Sequence, residues 1–338
     1  MKKYLENIKR IQYSVDKSKY NYVLDQSERT IHIPAFQKFL QTLNQEDFLL
    51  YPNTDSFKSN IGKKFDVENN QILLSPGSEI GIKNVIEAFT NGGRVISSDP
   101  SFPMYKIYSE LYQCEYFGIP HEEDYSISME KILSNITHDT DLVILANPNS
   151  PMGEYKSFDE IRILLEQDIP VLIDEAYIEF SGKESFIKYI NEYPNLMVCR
   201  TFSKSYGAAG CRVGMVFSNS NNIEILSKFK QCYEVTSVSI KYCEFLMNNS
   251  EIVDIYIQEV IEEKNKVISM LKNYEVIDSN CNWIHFNNDI DNIDTIDIFN
   301  KHKVLTKYCT LPHDNRKNWC RLTIQPNISK EKFIQELL

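Results

Sequence analysis

From Thr201 to Gly214 the chain reads Thr-Phe-Ser-Lys-Ser-Tyr-Gly-Ala-Ala-Gly-Cys-Arg-Val-Gly, placing the amine of Lys204 among hydroxyls, glycines and the guanidinium of Arg212. A lysine becomes a useful carbonyl nucleophile when its ammonium pKa is lowered, which a nearby arginine or a partly desolvated pocket does. Thr201, Ser203 and Arg212 can meanwhile hold a phosphate dianion, the arginine as a fork and the hydroxyls as neutral donors. An aldehyde for the lysine and a phosphate for its neighbours occur together in pyridoxal 5′-phosphate, the expected cofactor.

Two upstream segments fit the same chemistry. Val171 to Ile173 is a short apolar run that ends in Asp174 and Glu175, as a buried parallel strand ends at its carboxyl edge, where ligands of open α/β sheets collect. An aspartate there can pair with a protonated pyridine nitrogen, and Tyr177, three residues on, can donate to the ring's phenolic oxygen. Leu74-Ser75-Pro76-Gly77-Ser78-Glu79 links a strand-like run to a periodic segment over Ile80 to Phe89. That order predicts strand, turn and helix, with the helix amino terminus open to a phosphate.

On these residues the chain resembles the class I/II, fold-type I pyridoxal-phosphate aminotransferases, and most of all their histidinol-phosphate aminotransferase branch. The resemblance runs from about Tyr51 to about Ile324. It implies that Lys204 forms the Schiff base with the cofactor, that Asp174 meets the pyridine nitrogen and that Tyr177 meets the phenolic oxygen. It assigns the phosphate to Gly77, Ser78, Glu79, Thr201, Ser203 and Arg212, and the ring-stacking aromatic to Phe102. Tyr51 corresponds to a tyrosine that reaches the other subunit's cofactor phosphate, which implies a homodimer with shared sites. Arg321, within Trp319-Cys320-Arg321-Leu322-Thr323, corresponds to the arginine that binds the substrate α-carboxylate. An arginine in so apolar a run suits a bidentate carboxylate on independent grounds.

Departures from the family pattern fall mostly on the substrate side. Asn147-Pro148-Asn149-Ser150-Pro151-Met152-Gly153 places Ser150 where an asparagine normally donates to the phenolic oxygen, and a serine is shorter with one donor. Leu24-Asp25-Gln26-Ser27-Glu28 stands in for an asparagine-rich segment, and Gln325-Pro326 for a glycine-threonine pair. Lys307 stands where relatives place an arginine for the substrate phosphate, which a lysine binds as a point charge. The expected reaction is amino transfer, with L-glutamate as donor, to a small phosphorylated ketone such as imidazole acetol phosphate or dihydroxyacetone phosphate. The alternatives are a pyridoxal-phosphate decarboxylase of a phosphorylated amino acid and, from another class, a non-catalytic cofactor-binding regulator.

Positioning these residues requires an α/β frame. Strand-like runs at Gln71–Leu74, Arg94–Ser98, Asp141–Ala146, Val171–Asp174, Leu196–Arg200 and Val213–Phe217 alternate with helical segments such as Met104–Tyr112 and Asp159–Glu166. This predicts a mainly parallel sheet sandwiched by helices. A long amphipathic helix over Glu251–Lys272 leads to strands near Asn282–Phe286, Val304–Lys307 and Arg321–Ile324, a smaller α+β domain. The expected organisation is an amino-terminal segment, 1–45, that joins the small domain, a large cofactor domain over 46–230 and the small domain over 231–338.

Composition agrees with a soluble, cytoplasmic enzyme of 338 residues. The 47 acidic against 36 basic residues give a net charge of −11, which disfavours nucleic acid and anionic membranes as partners. No apolar run approaches the roughly 20 residues of a membrane span. The eight cysteines form no Cys-x-x-Cys pair and the six histidines are dispersed, so neither a disulfide framework nor a metal site is expected.

Overall fold

The computed structural model describes residues 3–11, 15–30, 33–287, 295–314 and 319–338. Most of the Asn/Asp/Ile-rich stretch at 287–297 therefore lies outside the described residues. A two-residue strand, β1 (Tyr22–Val23), comes first, and the next seven form one sheet: β2 (Ile72–Ser75), β3 (Arg94–Asp99), β4 (Glu115–Pro120), β5 (Thr140–Ala146), β6 (Val171–Asp174), β7 (Leu196–Thr201) and β8 (Gly214–Ser218). Their spatial order is β2-β8-β7-β6-β5-β3-β4, with β8 antiparallel to both neighbours and every other pairing parallel. The reversal at β8 has a local cause. The loop 202–213 that joins it to β7 forms no crossover helix, only a short turn at Ala209–Cys211, so the chain returns antiparallel.

Burial explains the apolar runs. β2, β6, β7 and β8 are buried along their whole length, as expected of strands covered on both faces. One face packs Ile173, Val198 and Phe217 against helices, and the other packs Leu172, Met197 and Val216 with Ile82 and Val85 of the helix Gly77–Phe89. Each fully buried aliphatic side chain contributes about 1.5–3 kcal/mol. The carboxyl ends of β2, β3, β5, β6 and β7 and the amino end of β8 then share one edge of the sheet, the edge that carries the residues expected to touch the cofactor, Tyr51 excepted.

A second, antiparallel sheet comes from the carboxyl-terminal part: β9 (Val276–Ile277), β10 (Trp283–Asn287), β12 (Lys307–Cys309) and β13 (Trp319–Thr323), in the order β12-β13-β10-β9. β11 (Val304–Leu305) pairs instead with β1, in parallel. The run expected as one strand over Val304–Lys307 is thus divided between two sheets. Ile284, Phe286, Cys320 and Leu322 turn one face of the antiparallel sheet onto the long helix Ser250–Met270, meeting Tyr256, Val260 and Val267. The alternate residues, Trp283, His285, Trp319, Arg321 and Thr323, occupy the opposite face. Trp283 donates its indole N–H to the Pro151 carbonyl at 2.9 Å and meets Tyr177 edge to face at 4.6 Å, so that face abuts the loops of the large sheet.

Candidate active site

The residues expected to hold a phosphate gather where β2 meets β8. Gly214 lies opposite Ser75 on one flank and Thr201 on the other, and a side chain on it would sit 2.3 Å from the Gly77 carbonyl carbon and the Ser78 nitrogen. Only glycine lets the amino terminus of the helix Gly77–Phe89 come so close. Gly77 itself has φ +74°, and a Cβ there would stand 2.6 Å from Arg212 Nη2. Arg212 is thereby laid against the open end of the helix, where backbone N–H groups and the helix dipole favour an anion. Thr201 Oγ1 donates to Ser203 Oγ at 2.9 Å and accepts the Ser203 N–H at 3.1 Å, which brings both hydroxyls to this corner. The Glu79 carboxylate is turned elsewhere, accepting from Tyr108 at 2.7 Å and Arg10 at 3.3 Å. The part of Glu79 available to an anion here is its backbone N–H.

Asp174 ends β6 in full burial. It accepts a 2.7 Å hydrogen bond from the Tyr105 hydroxyl and a 3.2 Å bond from the Ala176 N–H. Burial pushes its carboxyl up to about 6, against the opposing pull of those two donors and of Lys204. Phe102 meets Tyr105 edge to face at 5.6 Å. Beneath Asp174, the buried Glu175 accepts from Arg200 at 3.0 Å, while Arg200 also donates to Glu179 at 2.6 Å. This ties the end of β6 to β7. Ser150 is half-buried; its neighbour Asn149 is fully buried, donating to Ser98 Oγ at 3.1 Å and accepting the Met152 N–H at 3.2 Å.

Lys204 links the two halves. Its ammonium lies 5.2 Å from the centre of the Tyr177 ring and donates to the Gln26 carbonyl at 2.6 Å. Arg321 donates to the adjacent carbonyl, that of Asp25, also at 2.6 Å. The rest of the segment is held in the same way: the carbonyls of Leu24, Ser27 and Glu28 accept from Thr323, Asn282 and Gln325. Five consecutive carbonyls thus strap residues 24–28 against Lys204, the small sheet and its flanking residues.

On the small sheet, Lys307, Arg321 and His285 are opposite one another in register on β12, β13 and β10. Arg321 is buried and Lys307 exposed. His285 is completely buried with neither ring nitrogen hydrogen-bonded. Burial, reinforced by the charges of Arg321 and Lys307, holds it neutral with a pKa of about 3. Tyr51 stands apart from this cleft, 76 % exposed and stacked on Tyr233 at 4.1 Å.

Comparison with known proteins decides the family. A model of the family "Aminotransferase class I and II" matches residues 18–335. The chain belongs to that family. It is similar to the histidinol-phosphate aminotransferase of Clostridium novyi, at 27 % identity over 92 % of this chain and 89 % of that protein. The histidinol-phosphate aminotransferase of Christiangramia forsetii is 33 % identical over 63 % of this chain and 62 % of its own length. Among solved structures, the histidinol-phosphate aminotransferase of Sinorhizobium meliloti in complex with pyridoxal 5′-phosphate shares the fold with a TM-score of 0.84 at 15 % identity, covering 100 % of this chain and 95 % of that one. The chain is a pyridoxal-phosphate-dependent class I/II aminotransferase of the histidinol-phosphate type. Its residues fit the cofactor: a glycine-lined anion cradle, a lysine amine beside Tyr177, and a buried carboxylate that a pyridinium N–H would satisfy.

Sequence reasoning had singled out no role for Tyr105, Asn282, His285 or the backbone of residues 24–28. A histidine inside the apolar run Trp283–Phe286 was the one visible signal. The others depend on contacts between distant segments.

Proposed function

We propose that this aminotransferase moves an amino group from L-glutamate to a small phosphorylated ketone, of the imidazole acetol phosphate or dihydroxyacetone phosphate kind. The observation that carries the reading is that the Lys204 ammonium and the Arg321 guanidinium, brought from different sheets, bond to adjacent carbonyls. An α-amino acid asks for this spacing, with its carboxylate on the guanidinium fork and its α-carbon near the amine.

The cofactor, when bound, supplies an aldehyde carbon and an electron-accepting ring. Gly77, Ser78, Glu79, Thr201, Ser203 and Arg212 would hold its phosphate, joined by Tyr51 of the partner subunit in a homodimer. The exposed apolar run Phe48, Leu49, Leu50 and Tyr51 supports that assembly. Phe102 would stack on the ring, Asp174 would meet its nitrogen, and Tyr177 and Ser150 would face its phenolic oxygen. Lys204 Nζ takes the proton from the substrate α-carbon and returns it, a role for which a nearby amine is suited. Lys307, beside Arg321 in register, would meet the substrate phosphate as a point charge.

The test is the visible spectrum of the cofactor-loaded protein before and after L-glutamate, with K204A alongside. Glutamate is expected to convert the yellow band to the amine form of the cofactor in the parent and not in K204A. Release of carbon dioxide from a phosphorylated amino acid without amine formation would replace transfer by decarboxylation. A protein that stays colourless with added cofactor would overturn the reading.

A further inference from the structure

Asp174 receives its 2.7 Å hydrogen bond from a residue so far without a role. Tyr105 lies in the first turn of the helix Met104–Leu111, is fully buried, and reaches across to Asp174 Oδ2 while the Ala176 N–H takes Oδ1. The helix entry is fixed by the turn Phe102–Pro103, because the Tyr105 N–H returns to the Phe102 carbonyl at 3.0 Å. The tyrosine that bonds the carboxylate and the aromatic expected against the ring therefore come from one short, packed turn.

We infer that Tyr105 is a positioning residue that holds Asp174 ionised and aimed at the pyridine nitrogen, and so sets how strongly the ring draws electrons. The inference rests on the cofactor placement proposed above. Its physical basis is that a carboxylate out of water is costly, and a hydrogen bond donated to the charged form offsets that cost. The groups facing Asp174 are few. Tyr105 comes from the helix, the Ala176 N–H from the turn after β6, and Lys204 from the loop after β7. Cys199 of β7 is buried too, its thiol pushed well above the usual range. After burial itself, the Tyr105 bond is the largest influence on Asp174 and the strongest favouring its charge. Burial beside that carboxylate also pushes the Tyr105 hydroxyl well above its ordinary value. Tyr105 stays a donor throughout the working pH range and does not compete for the proton.

Without that donor the carboxylate becomes more basic. The proton between it and the ring nitrogen shifts toward oxygen, and the ring loses part of its positive charge. Strengthening the donor has the opposite effect.

The experiment compares the parent with Tyr105→Phe and with a protein carrying 3-fluorotyrosine at position 105, a stronger donor of nearly the same shape. In the cofactor-free protein, the Asp174 carboxyl is followed by 13C NMR of aspartate-labelled samples, with D174N for assignment. Its midpoint is expected to rise by about one pH unit in Y105F, as loss of a hydrogen bond to a charged group implies, and to fall with fluorotyrosine. In the loaded protein, 15N NMR of labelled cofactor should show the ring nitrogen less protonated in Y105F. A carboxyl midpoint that both proteins leave at the parental value would reduce Tyr105 to packing, whatever the activity. Should Y105F fail to fold, the fluorotyrosine protein decides alone. A shifted carboxyl midpoint in a protein that forms no amine with glutamate would uphold Tyr105 and overturn only the proposed reaction.

Discussion

On the large sheet, Asp174, Thr201, Ser203, Lys204 and Arg212 come from two neighbouring strands and the loop that follows them. On the small sheet, Arg321, His285 and Lys307 come from three antiparallel strands, and Arg321 is met by a carbonyl 296 residues away in sequence. The first half of the cleft is built from local geometry: a glycine that admits a helix end, a strand that ends in an acid, a loop that lifts a lysine. The second exists only when three distant segments meet. The Lys204 segment and its anion-side neighbours Thr201, Ser203 and Arg212 are therefore compact in sequence, while the residues around Arg321 are spread along the chain.

Variants in each half should separate accordingly. The largest effect is expected of K204A, which should slow the glutamate-driven spectral change by roughly 10³-fold or more, the upper part of the range for a proton-transfer group. Equal rates in K204A and parent would remove Lys204 from the chemistry. R321A should weaken glutamate by about 2–5 kcal/mol, the cost of truncating one side of a buried charged hydrogen bond, and leave cofactor affinity unchanged. If titration of the R321A protein showed cofactor and glutamate weakened alike, the division into two halves would fail.

His285 offers a pH test of the substrate half. It is neutral in the folded protein with a pKa of about 3, against about 6.5 unfolded. The unfolded chain takes up the proton first, so this contribution to stability is lost as pH falls from about 6.5 toward 3, by about 2 kcal/mol between pH 6.5 and 5. Asp174 acts in the other direction. Its carboxyl is raised to about 6, so the folded state binds that proton first and stability declines as pH rises from about 3.8 through 6. Urea unfolding of H285L at pH 7 and pH 5 should show a smaller loss on acidification than the parent. Identical losses would mean that His285 is not buried neutral. The smallest change is expected of G77A, where a left-handed alanine costs about 1–2 kcal/mol and the added methyl presses on Arg212. Cofactor affinity, followed by fluorescence quenching, should fall by roughly tenfold, with glutamate affinity at saturating cofactor unaltered.

Much of the large sheet was legible because its strands are buried on both faces and bounded by turns. The expected runs at Val171–Asp174 and Leu196–Arg200 match β6 and β7 to within a residue. β4 was not expected although Tyr116, Phe117 and Ile119 form a strand-like run; at the sheet edge Glu115 is exposed and Tyr116 to Gly118 are half-buried, so the run is short and flanked by polar residues. The division of Val304–Lys307 between two sheets follows from pairing partners, not from residue types. In the site, Lys204 and Asp174 announced themselves by local pattern. Tyr105 was hidden among ordinary helix residues, since only tertiary packing brings its hydroxyl to Asp174.

The strap over residues 24–28 has a consequence for how this chain can change. It holds Thr323, Arg321, Lys204, Asn282 and Gln325 through main-chain carbonyls, and a carbonyl is the same whichever amino acid bears it. Asp25, Gln26 and Glu28 can therefore change while the bonds persist, provided the backbone path is kept, whereas Leu24 is packed in the small-domain core and the buried Ser27 has φ +57°. A motif written in side chains is erased by substitution. One written in peptide groups survives it, and is readable only in three dimensions.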